Sequence, residues 1–398
     1  MAAESLILVV NPGSSSRKYA LYADGKKRAS INFEFVDNKV VSVVDYSGNK
    51  HENHYDDADL DAVSRYILPL LHEHGTIADD EALKAIGIRV VAPSRRFMKD
   101  ELVTDEIIRS LESIEQKAPL HITTVLSEIK HLSDYFQSTP VIAISDSSFH
   151  ATKPAWAAYY GLDIDLADKA EILRFGYHGV SVGSVVRMMA ERQILSPKTI
   201  VCHLGSGSSI TAVENGKSID NSMGYTPLEG MMMATRTGSI DVSAALAIKR
   251  ELDLSDSELE EYLNKKSGLL GVSGSSNDIR QLLTSEAKGD KRAELALKLF
   301  VYRLKQTIGQ MAASLGGVDS IVFTATVGER SAVIRSRILE GLGYLGFNFD
   351  IQLNENITEP VGPVNLAIGG SKPVWVITTD EAAEIADRAD QYIKTLNK

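Results

Sequence analysis

The sequence predicts an α/β protein made of two duplicated halves, and three observations carry that expectation. A unit of apolar strand, Gly/Ser bend and alternating strand occurs twice, as ILVVNPGSSSRKYALYADGKK near the N-terminus and as VCHLGSGSSITAVENGK from Val201. The bend glycines Gly13 and Gly205 are 192 positions apart and the turn glycines Gly25 and Gly216 are 191 apart, close to half of the 398 residues. Short apolar runs of strand length alternate with segments of helical spacing, and 44% hydrophobic content over this length supplies cores for two or three domains.

Taken in order, Leu6 to Val10 reads as a strand, and Ala29 to Phe35 and Val40 to Val44 as further strands after the first hairpin. Leu60, Val63, Ile67, Leu70 and Leu71 have helical spacing, which predicts a helix over 59–74 ended by Gly75. Strand Ala85 to Val91 carries Arg89, which is costly there unless it is paired or faces a site. His121 falls near the start of a helix opened by a proline, where a capping-region histidine is the plain structural alternative. Strand Pro140 to Ser145 leads into Asp146, either a turn cap or a carboxylate facing a ligand at a strand end.

Tyr177-His178-Gly179 precedes a helix from about Ser181, so His178 is either a structural turn residue or a phosphate donor. The glycines of KSGLLGVSGSSN predict a loop that enters a helix capped near Asn277. A long amphipathic helix covers 290–315 and stops at Gly316-Gly317. Strand Ser320 to Phe323 then meets TATVGERS, a strand–glycine turn–helix junction suited to a nucleotide. Strand Val374 to Ile377 and a helix capped by Thr379 or Asp380 close the chain, that helix packing back on the first domain.

Charge and composition narrow the partners. A net charge of −11 argues against a nucleic-acid or anionic-membrane surface, so phosphate binding must come from local groups. No apolar run reaches the roughly 18 residues of a membrane span, and no signal-peptide pattern precedes Leu6, which points to the cytoplasm. Cys202 has no cysteine partner and sits in an apolar strand, so it reads as an inert buried thiol.

The chemistry concentrates in 201–241, where a glycine loop, Arg236 and a carboxylate fall within forty-one residues. Gly205 and Gly207 in the bend allow backbone N–H groups to approach an anion without an intervening Cβ. Alone this is an ordinary hairpin turn, since it lacks the Gly-Lys-Ser/Thr ending of a Walker loop. The second copy at Gly13 raises it to a pair of phosphate-facing hairpins offered to a shared cleft.

Together, NPGSSSRKY, SDSSFH, RFGYHGVS, SMGYTPLEGMMMATRTGSID, LNKKSGLLGVSGSSNDIR, VFTATVGERS and TTDEAAEIA resemble the motifs of the acetate kinase family over nearly the whole chain. The resemblance implies two actin-like (ribonuclease H-like) domains flanking a nucleotide cleft, the first being 1–147 plus 381–398 and the second 148–380. It implies reversible Mg²⁺- or Mn²⁺-dependent phosphoryl transfer between ATP and acetate, and a homodimer. In its terms Arg89 and Arg236 flank the carboxylate and the moving phosphoryl group, His178 and Asn11 donate to that group, and Asn11, Asp146 and Glu381 attend the metal. Ser14, Ser16, Lys18, His121, His203, Gly205 and Gly207 belong to the substrate and phosphate side, and Asp278, Ile279, Arg280, Gly328 and Glu329 to the nucleoside side.

The chain departs from the family at four places, one being Ile122-Thr123 where the family has the Asn-Pro of Pro-Leu-His-Asn-Pro. Ala92-Pro93-Ser94 replaces the family's His-Gly-Gly, Ser206 stands inside its Gly-Asn-Gly, and Thr326 and Arg330 replace glycine and asparagine in its Gly-Ile-Gly-Glu-Asn. These leave open a propionate or butyrate kinase and a pyrophosphate-dependent enzyme. A non-enzymatic nucleotide switch of the actin and Hsp70 kind is the remaining alternative, though a switch has no carboxylate to clamp.

Overall fold

The computed structural model describes residues 4–13, 16–36, 39–55 and 60–396. It divides into two units, 1–148 with 380–398 and 149–379. The first unit is built on an eight-stranded sheet. Its strands are β1 (Leu6–Pro12), β2 (Ser16–Ala23), β3 (Lys26–Val36), β4 (Lys39–Tyr46), β5 (Asn49–Tyr55), β6 (Leu83–Val90), β7 (Glu101–Leu102) and β8 (Val141–Ser145). Their order is β5-β4-β3-β2-β1-β6-β8-β7.

The second unit holds β9 (Lys198–Leu204), β10 (Ser208–Glu214), β11 (Lys217–Asn221), β12 (Ser320–Thr324), β13 (Val364–Asn365) and β14 (Val374–Val376), ordered β11-β10-β9-β12-β14-β13. The duplication is visible in the ladders. In each unit three strands form an antiparallel meander, and the first of them then runs parallel to a later strand that pairs parallel with a third. Thus β1, β2, β3, β6 and β8 correspond to β9, β10, β11, β12 and β14. The first copy adds β4 and β5 at its edge.

Apolar faces explain why the strands sit where they do. Leu6, Leu8 and Val10 are buried on one face of β1 with Ile86 and Ile88 of β6, while Ile200, Cys202 and Leu204 do the same on β9 with Ile321 and Phe323. Cys202 is fully buried and burial pushes its thiol far up, so it is the inert side chain its strand suggests. The last helix, Glu381–Leu396, packs on β6 so closely that a Cβ on Gly87 would lie 2.8 Å from Ile385. Asp380, rather than Thr379, accepts from the Ala383 N–H at this helix start.

Three local expectations change. The segment expected to be one helix over 59–74 is a 3-10 stretch, Leu60–Tyr66, followed by an α-helix, Ile67–Glu73. Pro69 has no N–H to give the carbonyl four residues back, so α-type bonding cannot run through it from the earlier turn. The glycine-rich segment expected as a loop contains the helix Gly268–Ser273, because Leu269 is buried and its N–H bonds to the Met233 carbonyl. The next helix, Ile279–Ala287, takes its cap from Asp278, one residue beyond Asn277, through the Arg280 N–H at 2.8 Å.

One buried side chain fixes the segment after β12. Arg335 is fully buried, and burial lowers its pKa to about 10. Its guanidinium donates to the carbonyls of Gly328 (2.9 Å), Glu329 (2.8 Å), Asn354 (2.9 Å) and Ile357 (2.9 Å) and to Asn354 Oδ1 (2.7 Å). Replacing Arg335 with Met therefore strands several buried acceptors, each worth about 1–3 kcal/mol when unpaired. Urea unfolding is expected to show a loss of at least ~3 kcal/mol, and a loss below ~1 kcal/mol contradicts this account.

Candidate active site

In the first unit one guanidinium collects the acidic groups. Arg89 lies near the end of β6 and Asp146 directly follows β8, whose Ser145 pairs with Val90. The Asp146 N–H is anchored on the Val90 carbonyl at 2.9 Å. Its carboxylate, 1% exposed, takes two parallel bonds from Arg89, Nε to Oδ1 at 3.1 Å and Nη2 to Oδ2 at 2.9 Å. Arg89 Nη1 also donates to Glu381 Oε2 and Asn11 Oδ1, both at 3.4 Å, and Asn11 Nδ2 donates to the same Glu381 oxygen at 3.2 Å. Burial opposes the Arg89 charge, but the Asp146 and Glu381 carboxylates outweigh it and hold the guanidinium protonated.

Glu381 is the first residue of the last helix, where the helix dipole favours a carboxylate. Arg388 of that helix donates to Asp100, to the Ser148 hydroxyl and to the Ser145 carbonyl, locking the strand end that bears Asp146. The oxygens offered here are two carboxylates and one amide. That set suits a hard divalent cation such as Mg²⁺, which takes one or two protein carboxylates and fills its shell with water and phosphate oxygens. Among the described residues no cluster of three or more His, Cys, Asp or Glu forms a closed metal cage.

The first hairpin bends at Gly13, whose N–H bonds to the Ser16 carbonyl at 2.8 Å. Ser14 lies outside the described residues. Lys18 is exposed on β2 directly across from Asn11, so both side chains share one face of the pair. His121 sits in the first turn of the helix Pro119–Tyr135.

In the second unit His178, His203, Gly205, Gly207 and Arg236 come together. His178 has φ 60° and caps the helix Gly179–Glu191 in a conformation uncommon for a side-chain-bearing residue. The position is held from behind by His150, which is buried and bonds through Nε2 with the Tyr177 carbonyl at 3.0 Å and through Nδ1 with Ser218 at 2.8 Å. His178 Nδ1 meets the Ser209 hydroxyl at 3.0 Å, and its ring stacks on His203 at 4.1 Å between centroids.

A Cβ on Gly207 would sit 3.3 Å from His178 Nε2 and 3.4 Å from Arg236 Nη1, so this glycine leaves the gap between imidazole and guanidinium open. Arg236 Nη1 donates to the Pro227 carbonyl at 3.2 Å. An imidazole, a guanidinium and backbone without side chains in one place make a receptor for an anion.

The nucleoside-side residues divide. Arg280 pairs with Asp278 and its side chain is exposed, while the Ile279 side chain is buried in the hydrophobic core and leaves only its backbone for contacts. Glu329 is buried, accepts from the Thr379 N–H at 3.2 Å, and is raised above the usual carboxylate range by desolvation. Gly328 packs on β12, where a Cβ would lie 3.3 Å from the Phe323 carbonyl carbon. Arg330 is held by Glu359 in an ion pair on an exposed face. His150 and Arg335 hold supporting positions that no local pattern in the sequence marks as such. The first stood within the quoted SDSSFH motif, and the second had no signal beyond one arginine in a helix of otherwise mixed character.

The chain is similar to known proteins over nearly its whole length. The family model described as the Acetokinase family matches residues 6–387. An acetate kinase of Clostridium botulinum (strain Langeland) is 39% identical over 395 residues, covering 96% of this chain and 97% of the relative. An acetate kinase of Methanosarcina thermophila is 37% identical over 405 residues, covering 98% and 97%. A solved propionate kinase from Francisella tularensis aligns with TM-score 0.89 at 33% identity, and a solved acetate kinase from Porphyromonas gingivalis with TM-score 0.87 at 32%, each covering 97% of this chain and 99% of the other. Matched over nearly its whole length by that model and by relatives spanned almost end to end, the chain belongs to the acetokinase family.

Proposed function

We propose that the protein catalyses reversible Mg²⁺-dependent phosphoryl transfer between ATP and acetate, giving acetyl phosphate and ADP. The observation that carries this reading is the opening left by Gly207 between His178 and Arg236, which suits a phosphoryl group. Acetate, with a pKa of roughly 4 to 5, is ionised at neutral pH and needs no base. Its oxygen attacks the γ-phosphorus while the bond to the ADP oxygen breaks and its electron pair leaves with ADP.

What remains for the protein is charge neutralisation between two anions, the task of oriented cationic donors. Arg89 and Arg236 serve that task, His178 and Asn11 donate to the moving group, and Asp146, Glu381 and Asn11 hold the cation. The cation, when bound, withdraws charge from the phosphate oxygens. Ser14, Ser16, Lys18, His203 and Gly205 attend the phosphates. Asp278, Arg280, Gly328 and the Ile279 backbone attend the nucleoside. Glu329 keeps the β12 end in shape, and His121 stands on the substrate side. The need for ATP puts this work in the cytoplasm.

The buried run Ala92-Pro93-Ser94 favours a small apolar acyl group, so propionate is the second acceptor to test. Because Arg330 is tied to Glu359, we expect ATP to remain the donor. In a hydroxylamine trap for acyl phosphate, ATP should outpace pyrophosphate at equal concentration, and the reverse order contradicts the donor assignment.

The second unit also exposes apolar side chains that suit a second copy of the chain. The helix Val242–Glu251 buries none of its residues although it reads VSAALAIKRE, and Trp156 is 87% exposed. Light scattering is expected to give about twice 43.3 kDa, with Leu246→Asp shifting the mass to the monomer. A monomeric wild-type protein rules the dimer out.

Replacing Arg89 or Arg236 with Ala should lower kcat by roughly 10² to 10³, the range for losing one preorganised donor. Arg236→Lys should recover only part, since an ammonium lacks the planar fork. The double replacement should cost less than the product of the single effects. An Arg89→Ala protein with a lowered melting temperature but wild-type kcat shows that Arg89 is structural.

A further inference from the structure

The loop that carries Arg236 has a neck and a tip. At the neck the Ser239 N–H bonds to the Gly230 carbonyl at 2.8 Å and the Gly230 N–H to the Ser239 hydroxyl at 3.2 Å. At the tip the Met233 N–H bonds to the Arg236 carbonyl at 3.0 Å. Gly238, with φ +74°, lies so close to the opposite side that a Cβ would be 2.6 Å from the Gly230 oxygen. A shift of the neck must therefore move the tip with it, because closely packed backbone does not deform smoothly.

Against this neck lies a pocket of about 310 Å³, open to solvent on the side of Arg303, Gln306 and Gln310, whose side chains are exposed. One wall is Arg174, Glu229 and Ser239. The other is a polar stripe of the helix Lys291–Ser314, with Arg303, Gln306 and Gln310 at successive helical positions. Arg174 is engaged by Glu229 and donates to the Asn221 carbonyl at 3.1 Å. Arg303 donates to Gln306 Oε1 at 3.1 Å and, among the described residues, has no carboxylate in ion-pair range. The three charged side chains of the lining leave one positive charge in excess, in a chain whose net charge is −11. At about 30 Å³ per water the space would hold on the order of ten waters, or one small acid.

We propose that this pocket is a second ligand site, for a small anion with two or more acidic oxygens, and that its occupancy adjusts Arg236 through the neck. The anion seats at the Arg303 end, where the guanidinium fork and the Gln310 amide donate, and away from Glu229, which repels it. Carboxylates and phosphate share this chemistry. The coupling to activity rests on the role proposed above for Arg236, whereas the binding does not.

The test is calorimetry on the full chain without nucleotide, titrating succinate, tricarballylate and inorganic phosphate into wild type, Arg303→Ala and Gln310→Leu. The site predicts saturable binding of at least one probe, weakened about tenfold or more by Arg303→Ala. The ranking of carboxylates against phosphate identifies the source. Phosphate binding that survives both replacements belongs to another site and counts against this one, as does no saturable binding of any probe at tens of millimolar. In the hydroxylamine trap at fixed free Mg²⁺, the tightest probe should change the KM for acetate or kcat by about twofold or more in wild type and not in Arg303→Ala, while Arg303→Ala without probe stays within about twofold of wild type. Binding lost in Arg303→Ala with no effect of the probe on the wild-type rate overturns the coupling. A chain without acyl phosphate activity that still binds the probe leaves the pocket proposal standing and removes the function.

Discussion

The bidentate pair between Arg89 and Asp146 is the constraint on which the first unit's site depends. Both groups are taken largely out of water, which costs several kcal/mol per ion unless each charge is answered by geometry and further hydrogen bonds. Here it is answered. The two residues stand near the ends of neighbouring parallel strands, the Asp146 backbone is tied to β6, and Glu381 and Asn11 complete the ring around the guanidinium. Both charges of the pair are thereby desolvated and oriented by the fold itself.

The duplication explains how one topology serves two chemistries. Each copy brings a glycine bend between its first two strands, but the groups gathered differ: carboxylates around an arginine in the first unit, imidazoles beside an arginine in the second. The first set matches the needs of a cation, the second those of an anion. A phosphoryl transfer to a carboxylate requires both. The net charge of −11 does not prevent an acidic protein from taking anionic substrates, because a positive group fixed in place, such as Arg89 or Arg236, acts locally.

Much of this was legible in the sequence where a local rule ties residue type to backbone. The repeated strand–glycine–strand units mark the duplication, and the apolar runs mark β1, β6, β8 and β12 within a residue or two at each end. What local rules could not reach was set by tertiary contact. The strand β5 is mostly exposed and carries polar residues, so nothing marks it except the partner β4 beside it. The helix Gly268–Ser273 has a loop-like sequence and forms because Gly268, at φ +64°, lets the chain press onto the backbone of Met233 and Arg236. Ile279 matched a family motif, and only the packing reveals that its side chain serves the core.

That same press of backbone on backbone bears on how Arg236 is aimed. A long side chain carries about 2 kcal/mol of rotamer entropy, and a guanidinium on a mobile loop would lose it at each binding event. In the 230–239 loop close backbone packing and the hydrogen bond to the Pro227 carbonyl offset part of that loss. Met231 and Met233 are buried beneath it, Gly238 and Gly268 allow contacts that any Cβ would prevent, and the Pro227 carbonyl holds one edge of the guanidinium. The ordering is then done at folding rather than at binding, which is what a preorganised electrostatic site requires. The glycines of TRTG and KSGLL therefore act through the fit of the backbone behind the arginine.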